Sequence, residues 1–459
     1  MMKTYFDDFD QHAALRAFPI GDTFVESFRR LSRDELRSRQ QAQFERLIAR
    51  AWEIPFYQRL WGGAGIERGD VRSLDDLSKL PTYTKDDLMQ SIAAQPPYGD
   101  FHGMGPGRRV IMHTTSGTTG RPQTLLFGPK SREIQNLLLA RVFLLQGLRR
   151  DDVVHSVYGF GMINGGHYIR ETFLHFTECM FLPAGTGVET RSVQQIELMR
   201  DFRATVLVGF ADYMRKLAET AIGMDVVPGR DIPLRMISGH MGRESKEGIS
   251  AMWGGAEVYD WYGVGDTGVI AGEGPDHSGM YVMEDAHFVE ILDSETNGRV
   301  EDGKIGNLVT TVLFKDDIYP IIRFNTQDVT RIVLGVSPLG LNLRRIEGFL
   351  GRSDNMVKLR GINVYPHAIA AHLSPIPECT GEYLCKVERD ASGRDEITVA
   401  VEVRGERNEA LASRLRAHLK ARLGVDVLVA LEAPDALSPL TQIESRQKAI
   451  RLIDTRFAG

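Results

Sequence analysis

The sequence predicts an α/β protein that has a large N-terminal domain of mixed sheets and helices and a small α+β domain at its C-terminus. Two observations predict this fold class. First, strand-like segments alternate with helical ones, as in a domain built on a largely parallel sheet. The alternating segments are Val153–Tyr158, Thr172–Phe176, Met180–Leu182, Val193–Phe202 and Val206–Val208. Second, the pattern changes after residue 355 to a compact set of strands and one helix.

The C-terminal set has the size of a small domain. Its predicted strands are Tyr383–Glu388, Ile397–Val403 and Val425–Val429, and its predicted helix is Arg407–Leu423. About 100 residues are available to it, which is within the usual range for an independently folded unit. We therefore expect it to fold as a separate α+β unit.

The composition indicates an ordinary globular protein that binds small molecules. The 459 residues are 42% hydrophobic and carry a net charge of −6, so no general basic field is available for nucleic acid. Cys179, Cys379 and Cys385 are too few and too scattered for a disulfide framework or a cysteine-rich zinc site. No stretch approaches about 18 consecutive apolar residues. We expect a cytoplasmic protein with neither nucleic acid nor a membrane as its partner.

The helices of the N-terminal half are predicted from periodicity. Asp34–Trp52 is expected to form an amphipathic helix, because its apolar residues fall on one face at helical spacing. Those residues are Phe44, Leu47, Ile48 and Ala51. Farther along, Ser131–Leu148 predicts a strongly apolar helix.

A loop rich in glycine and hydroxyl groups lies between two short predicted strands, Val110–Met112 and Thr124–Phe127. Its residues are Thr115, Ser116, Gly117, Thr118, Thr119 and Gly120. Glycine reaches backbone angles closed to other residues, and hydroxyl groups donate hydrogen bonds to phosphate. A Walker loop would need Gly-Lys-Ser/Thr and would run into a helix. The pattern therefore indicates a polyphosphate loop between two strands, and a polar surface hairpin is the alternative.

Glycines and aromatic residues also cluster where later strands are expected to end. The segments are Tyr158–Gly161, Asn164–Tyr168, Ser238–Met241 and Asp260–Gly268. Open α/β sheets bind their ligands at such strand ends. The alternative for each segment is a tight loop with packed rings.

Two strings are specific enough to indicate a family. Thr-Ser-Gly-Thr-Thr-Gly-Arg-Pro at 115–122 resembles the phosphate-binding signature of the adenylate-forming superfamily, in which lysine commonly stands at the place of Arg121. Gly-Arg-Ser-Asp-Asn-Met at 351–356, followed by Arg-Gly-Ile-Asn-Val-Tyr-Pro, resembles the hinge motif of these enzymes. The order Pro-Phe-Tyr, Leu-Pro and Thr-Lys-Asp-Asp-Leu near the N-terminus is similar to that of phenylacetate-CoA ligases. The resemblance extends from about Leu36 to Arg456.

The resemblance implies a nucleotide site. The residues that it assigns to ATP and its phosphates are Thr115, Ser116, Gly117, Thr118, Thr119, Gly120, His240, Tyr262, Gly263, Asp328 and Arg352. Asp328 would accept the ribose hydroxyls, and Asp266 would hold Mg²⁺. Gly265 and Asp266 depart from the hydroxyl residue and glutamate that are usual in the family, although Mg²⁺ accepts either carboxylate. The segment Ala271–Pro275 has no cysteine, so no zinc site is expected there.

The resemblance also implies an acid pocket and a mobile C-terminal lid. The acid pocket would consist of Tyr158, Phe160, Phe210, His240, Met241 and Tyr262, and the coenzyme A channel of Gly361, Asn363 and Tyr365. The expected domains are residues 1–351, a hinge at 352–355 around Asp354, and the lid at 356–459. Lys448 on the lid would be the catalytic lysine, although Arg446 and Gln447 replace the usual Glu-Gly before it.

The activity implied is the activation of a small, aromatic carboxylic acid by ATP. The acyl-adenylate would then react with coenzyme A, so that ATP, Mg²⁺ and coenzyme A are the expected cofactors and co-substrates. A homodimer is left open. One alternative is an adenylating enzyme that passes an aryl or amino acid to a carrier protein or an amine. Another is a degenerate nucleotide-binding scaffold, because of the departures at Gly265, Asp266, Arg446 and Gln447.

Overall fold

The structure is a computed structural model, and it describes residues 4–103, 109–115, 122–242, 244–353, 357–359, 362–389, 394–443 and 449–456. The α-helices are α1 (Gln11–Ala17), α2 (Gly21–Arg30), α3 (Arg33–Ala51), α4 (Pro55–Gly63), α5 (Lys85–Ala94), α6 (Pro129–Leu145), α7 (Asn164–Phe176), α8 (Ser192–Asp201), α9 (Ala211–Gly223), α10 (Lys246–Met252), α11 (Ile369–Leu373), α12 (Glu409–Leu423) and α13 (Ser438–Thr441). Short 3-10 helices cover Tyr5–Asp7, Leu74–Lys79 and Pro366–Ala368. None of the described helices combines the length and the apolar character that crossing a bilayer requires.

The strands are short and numerous, and several sheets share them. They are β1 (Ile111–Thr114), β2 (Thr124–Phe127), β3 (Val153–Ser156), β4 (Met180–Pro183), β5 (Val206–Phe210), β6 (Met236–His240), β7 (Glu257–Val264), β8 (Gly268–Glu273), β9 (Met280–Val282), β10 (His287–Leu292), β11 (Gly306–Val312), β12 (Ile321–Thr330), β13 (Ile332–Val333), β14 (Arg345–Ile346), β15 (Gly351–Arg352), β16 (Val357–Leu359), β17 (Ile362–Val364), β18 (Cys379–Arg389), β19 (Asp395–Val403), β20 (Leu428–Glu432) and β21 (Leu452–Asp454). The predicted α/β fold class with mixed sheets is confirmed.

The chain divides into two compact units. Unit 1 comprises Met1–Asp152, Phe160–Phe181 and Asp260–Gly348, and unit 2 comprises Val153–Gly159, Leu182–Tyr259 and Phe349–Gly459. The C-terminal segment, Phe349–Gly459, therefore belongs to the same unit as Leu182–Tyr259. The predicted domain limits at 1–351, 352–355 and 356–459 stay a prediction.

Unit 1 begins with helices whose ends are fixed by side chains. At the start of α3, the Ser32 hydroxyl accepts from the backbone N–H of Glu35 (3.2 Å), and the Glu35 carboxylate accepts from the N–H of Ser32 (2.8 Å). This reciprocal pair satisfies two N–H groups that a helix start otherwise leaves unbonded. Phe44 and Leu47 lie on the buried face of α3. The predicted amphipathic helix is confirmed.

Two strands flank the predicted phosphate loop. β1 and β2 pair in antiparallel register, with Thr114 opposite Thr124 and Ile111 opposite Phe127. The predicted strand–loop–strand arrangement is thus confirmed for its two strands. In a Walker loop the chain would continue into a helix instead.

Helix α6 is buried along most of its length, and its first half is polar. Arg132 pairs with Glu171, and Arg141 donates from both terminal nitrogens to Asp285 (2.8 Å each). The prediction of a helix here is confirmed, but the expectation that it is strongly apolar is wrong for its N-terminal half. Buried charges are tolerated there because each guanidinium has a carboxylate partner.

Helix α7 corrects one expectation. The segment Asn164–Tyr168, which was expected to lie just past a strand end, forms the first turn of this helix, and Thr172–Phe176, which follows a strand-like segment in the predicted alternation, forms its last turns. Asn164 accepts a hydrogen bond from Arg132 (2.5 Å), and the Tyr168 hydroxyl donates to the carbonyl of Gln135 (3.0 Å). These contacts with α6 outweigh the low helix propensity of the two glycines, which is a local preference of about 1 kcal/mol each.

The remaining strands of unit 1 form antiparallel sheets. β10, β11 and β12 pair in that order. A second set runs in the order β13, β14, β9, β8 and β7. The two sets bring the middle of β12 and the turn after β7 to the candidate site that is described below.

Unit 2 contains a parallel sheet in which β3, β5 and β6 are neighbours. At its carboxyl edge, a Cβ atom on Gly239 would lie 1.8 Å from the carbonyl oxygen of Gly209, so only glycine fits at that position. Helices α9 and α10 contribute to the core of this layer, where Leu217, Ile237 and Trp253 are fully buried. The Trp253 indole N–H donates to the carbonyl of Met214 (3.1 Å).

The C-terminal segment of unit 2 has a sheet of its own. β18 and β19 are antiparallel, β20 is parallel to β19, and β21 is parallel to β18. Helix α12 buries Leu415 and Leu419 in the core of this segment. The predicted strands and helix of the small α+β unit are confirmed, with shifts of a few residues at their ends.

A cluster of buried charges lies beside α9 in unit 2. Glu382 accepts from Arg215 (2.8 Å) and from Arg451 (3.1 Å), and Arg451 also donates to Asp212 (2.6 Å). The side chains of Arg215, Glu382 and Arg451 are 7%, 5% and 2% exposed. Charges at this depth require partners, because removal of one partner leaves an uncompensated ion in a poorly solvated place.

Glu244 belongs to the same cluster. Burial raises its pKa to about 7, and the charge of Asp212 acts in the same direction, while the charge of Arg215 opposes it. For Asp212, burial is outweighed by Arg451 and Arg215, which hold its pKa below the ordinary value.

Candidate active site

Several predicted site residues lie outside the described residues. They are Ser116, Gly117, Thr118, Thr119, Gly120, Asp354, Gly361 and Lys448. For Asn363 the backbone forms part of β17, opposite Lys358, and its side chain lies outside the description. The roles given to these residues by the resemblance stay predictions.

Tyr262 and Asp328 meet in unit 1. The Tyr262 hydroxyl donates to Asp328 Oδ2 (2.7 Å), and the backbone N–H of Asp328 donates to the Thr326 hydroxyl (3.2 Å). Asp328 lies inside β12, not in a turn after it, and it is 6% exposed. A carboxylate that is held by a rigid strand and a tyrosine is a suitable acceptor for two hydroxyl groups of a sugar.

Asp266 is held by three donors from separate parts of unit 1. Its Oδ1 accepts from Gln123 Nε2 (2.6 Å) and from the Tyr319 hydroxyl (2.8 Å), and its backbone carbonyl accepts from Lys315 Nζ (2.7 Å). Asp266 is 4% exposed. Its second oxygen, Oδ2, has no hydrogen bond from the described residues. A carboxylate that has one oxygen fixed by hydrogen bonds and the other available to a ligand suits Mg²⁺. This ion usually binds one or two carboxylates together with the phosphates.

Lys315 is fully buried next to this carboxylate. Its ammonium group lies over the rings of Phe127 (5.2 Å) and Tyr319 (4.5 Å). Burial lowers the pKa of Lys315 to about 8, although the negative charges of Asp266 and Asp317 act to raise it. The ring faces and the Asp266 carbonyl replace part of the water that an ammonium group would otherwise bind.

Two hydrogen bonds between Thr115 and Gln123 close the base of the predicted phosphate loop. The N–H of Thr115 donates to the carbonyl of Gln123 (3.1 Å), and the N–H of Gln123 donates to the Thr115 hydroxyl (3.2 Å). Thr115 is thus engaged at the point where the loop begins. Gly263 lies in β7 opposite Val269, where a Cβ atom would lie 2.3 Å from the carbonyl oxygen of Gly268. Close strand packing accounts for this glycine without a ligand.

Three rings of the predicted acid pocket lie together in unit 2. Tyr158 follows β3, and Phe210 and His240 are the last residues of β5 and β6. The Phe210 and His240 rings are stacked (centroids 4.8 Å apart), and Tyr158 meets Phe210 edge-on (5.1 Å). These three neighbouring strands are parallel, so the rings share the carboxyl edge of one sheet, which is where open α/β sheets place ligands.

A hydrogen bond fixes the polar side of this aromatic cluster. The Tyr158 hydroxyl donates to the carbonyl of Gly209 (3.1 Å) and lies 2.8 Å from His240 Nδ1. Since the hydroxyl has a single hydrogen, a Tyr158 hydroxyl that donates to Gly209 accepts its second hydrogen bond from a proton on His240 Nδ1.

Phe160 belongs to unit 1, where it meets a histidine pair. The Phe160 ring is edge-on to His167 (5.4 Å), and His167 lies 5.0 Å from His113. Burial lowers the pKa of His113 to about 4, and Arg132 adds to this effect. His113 is therefore neutral near pH 7, and it adds no positive charge to the strand that enters the phosphate loop.

The other predicted residues are dispersed within unit 2. Met241 is 2% exposed and packs in the apolar core with α9 and α10. Arg352 is half-buried in β15. Tyr365 packs beside Gly351, where a Cβ atom would lie 2.8 Å from the tyrosine ring. Burial raises the pKa of the Tyr365 hydroxyl.

The sequence reasoning missed four residues that surround the predicted ones: Gln123, Lys315, Tyr319 and Thr326. Lys315 stands in a charged run with Asp316 and Asp317, which usually indicates a solvated surface. Gln123 carried a usable signal, because it is a polar residue at an expected strand start directly after the phosphate loop.

The chain is similar to several known proteins. Residues 361–456 match the family model described as the AMP-binding enzyme C-terminal domain. A phenylacetate-coenzyme A ligase of Aromatoleum evansii is 30% identical over 455 residues, which covers 94% of this chain and 97% of that protein. A phenylacetate-coenzyme A ligase of Thermus thermophilus is 30% identical over 440 residues, which covers 88% of this chain and 94% of that protein. The crystal structure of 2-hydroxyisobutyryl-CoA ligase in the postadenylation state with 2-HIB-AMP has a TM-score of 0.81 at 26% identity. The match covers 97% of this chain and 92% of that protein.

The fold and the matched C-terminal domain define the class of AMP-binding, adenylate-forming enzymes. Within that class, the chain belongs to the phenylacetate-coenzyme A ligase family. The resemblance inferred from the sequence is confirmed.

Proposed function

We propose that this protein activates a small aromatic carboxylic acid with ATP and transfers the acyl group to coenzyme A. The enzyme class, an AMP-forming acid–CoA ligase, follows from membership of the family. The observation that supports an aromatic acid is the ring cluster of Tyr158, Phe210 and His240 at one sheet edge. Rings of this kind offer offset and edge-on contacts to another ring.

The reaction has two balanced steps. In the first, a carboxylate oxygen of the acid attacks the α-phosphorus of ATP, the bond from that phosphorus to the bridging oxygen breaks, and pyrophosphate leaves. In the second, the sulfur of coenzyme A attacks the acyl carbon, AMP leaves, and the thiol proton is released. Positioning and charge stabilisation account for most of the catalysis in such phosphate chemistry.

The residues of unit 1 would serve the nucleotide. Asp328 would accept the ribose hydroxyls while Tyr262 holds its carboxylate in place. Oδ2 of Asp266 would bind Mg²⁺, which neutralises charge on the phosphate oxygens when it is present. Thr115 and its loop would donate to the phosphates. The family motif gives Lys448, which lies outside the described residues and outside unit 1, a positive charge at the α-phosphate.

A second candidate substrate is a small hydroxy acid. The pair formed by the Tyr158 hydroxyl and His240 puts hydrogen-bonding atoms at the edge of the ring cluster. A substrate hydroxyl could bind there, and the solved relative named above acts on a hydroxy acid according to its name, 2-hydroxyisobutyryl-CoA ligase. Transfer to a carrier protein or an amine, and a scaffold without activity, remain the alternatives that the sequence left open.

An acid panel separates these functions. Phenylacetate, benzoate derivatives, 2-hydroxyisobutyrate and a long-chain fatty acid are each supplied with ATP, with and without coenzyme A, and AMP release is measured. We expect a kcat/KM for aryl acids that is roughly tenfold or more above that for the others, the discrimination typical of an apolar pocket. Preference for 2-hydroxyisobutyrate would establish the second candidate. Absence of acid-dependent pyrophosphate exchange, with ATP still bound, would establish a scaffold.

The ribose assignment is tested by Asp328→Ala. We expect ATP binding to weaken by about 1.5–3 kcal/mol, which is the usual cost of losing hydrogen bonds to a charged group. Isothermal titration of ATP measures the change. Asp302→Asn, at an exposed aspartate of unit 1, is the control and should bind ATP like the unchanged protein. Normal affinity in a folded Asp328→Ala protein would remove Asp328 from the nucleotide site.

A further inference from the structure

Gln123 connects the base of the phosphate loop with the carboxylate of Asp266. Its backbone pairs with Thr115 in both directions, and its side chain donates to Asp266 Oδ1 (2.6 Å). A carboxylate only accepts hydrogen bonds, so the amide nitrogen of Gln123 must face it. Gln123 is fully buried, and the contact spans 143 residues of sequence. One side chain therefore links two motifs that are distant in the chain.

The amide oxygen of Gln123 is also significant. Oε1 is buried and has no hydrogen-bond partner among the described residues. Such atoms are rare in folded proteins, because leaving them unbonded is costly. A ligand that brings a hydrogen-bond donor would satisfy it, and a metal-bound water is such a donor. Mg²⁺ usually keeps several of its waters in proteins.

Asp266 is otherwise held without the help of the loop. The Tyr319 hydroxyl donates to the same oxygen (2.8 Å), and Lys315 donates to the backbone carbonyl (2.7 Å). Both residues lie in the segment between β11 and β12, which is far from the loop in the sequence. Among the hydrogen bonds of the described residues, the one from Gln123 joins Asp266 to the chain that follows the loop, while Tyr319 and Lys315 donate to Asp266 from another segment.

We propose that Gln123 makes the binding of nucleotide phosphates at the loop and of Mg²⁺ at Asp266 mutually dependent. The inference rests on the proposed function, in which the loop binds phosphate and Asp266 binds the metal. Gln123 is a positioning residue, because it acts through Thr115 and Asp266. Coupling of this kind is reciprocal, and it is usually worth about 5–150-fold in affinity.

The test compares ATP affinity with and without Mg²⁺ by isothermal titration. In the unchanged protein, Mg²⁺ is expected to strengthen ATP binding by a factor within that range. In Gln123→Met, which keeps the length of the side chain without its amide, we expect this factor to fall close to one. ATP affinity without Mg²⁺ should be unchanged. The affinity of Mg²⁺ for ATP in solution is the same for both proteins and cancels in the comparison.

Two further variants are compared in the same titration. Tyr57→Phe is the matched control, because it removes a buried hydroxyl that bonds to the carbonyl of Pro320 (2.8 Å) and has no hydrogen bond with Asp266. It should keep the full Mg²⁺ effect. Tyr319→Phe removes the other donor on Oδ1, and we expect it to weaken Mg²⁺ binding while a response of ATP to Mg²⁺ remains. If Gln123→Met does not fold, Gln123→Leu carries the same test.

Three results would overturn the inference. A full Mg²⁺ effect in Gln123→Met would show that the link carries no coupling. An equal loss of ATP affinity with and without Mg²⁺ would show that Gln123 only shapes the loop. If Asp266→Asn keeps the full Mg²⁺ effect, the metal assignment in the proposed function fails, and the coupling fails with it. If Asp266→Asn loses the effect while Gln123→Met keeps it, only the coupling is wrong.

Discussion

Replacing Lys448 with alanine is expected to slow acyl-adenylate formation by several orders of magnitude, while a supplied acyl-adenylate still reacts with coenzyme A. The family motif gives Lys448 a charge at the α-phosphate during the first step only. Loss of one fixed donor at a developing negative charge costs about 100–1,000-fold in rate, and a full positive charge should contribute at least as much. The resemblance implies that the lid has moved Lys448 away from the α-phosphate in the thioester step, so the second step is spared.

The two steps are measured separately, the first by acid-dependent pyrophosphate exchange and the second by thioester formation from synthetic acyl-adenylate. Lys420→Ala, at an exposed lysine of helix α12 whose side chain is 61% exposed, serves as the control. It should leave both rates unchanged. An equal loss of both steps in a folded Lys448→Ala protein would contradict a lid that serves the steps in turn. Normal adenylation would contradict the catalytic role itself.

Replacing Arg451 with methionine is expected to lower the free energy of unfolding by about 3–5 kcal/mol, the usual result of removing one partner of a buried ion pair. Methionine fills much of the volume but leaves Glu382 and Asp212 without their shared guanidinium. The side chain of Glu382 is 5% exposed, so water compensates its charge poorly. The loss should appear as an earlier unfolding transition in urea, followed by tryptophan fluorescence.

The control for this prediction is Arg230→Met. Arg230 pairs with Asp231, and its side chain is 69% exposed, so the urea midpoint should not change. The double variant Arg451→Met with Glu382→Met should recover part of the lost stability, because it removes a carboxylate that has lost one of its two guanidinium partners. A double variant less stable than Arg451→Met alone would show that the methionines pack badly and that charge is not the cause. An unchanged midpoint in Arg451→Met would contradict the buried cluster.

Local sequence patterns were sufficient to predict most of the fold. Helix α3, the hairpin of β1 and β2, and the strands of the C-terminal unit follow from periodicity and from β-branched residues. Asn164–Tyr168 could not be predicted in this way. Its glycines favour a loop, and it becomes helical through contacts with Arg132 and Gln135 on α6, which no local pattern contains.

The candidate site was predictable where a motif fixes it. Tyr262 and Asp328, which were assigned from separate motifs, meet in a hydrogen bond. Gln123 and Lys315 were missed because their importance depends on contacts with Asp266 that span 143 and 49 residues. A buried lysine is also rare enough that a charged run is interpreted as surface unless its partners are known.

The burial of helix α6 has a consequence for the synthesis of the chain. Arg132 and Glu133 find their partners Glu171 and His175 within 39 and 42 residues, but Arg141 must wait for Asp285, which is 144 residues further on. At about 5–20 residues per second, a ribosome needs roughly 7–30 s to reach that aspartate. Throughout that interval the helix has one end paired and the other without its counter-ion, so the nascent protein cannot complete unit 1 until most of the chain has emerged.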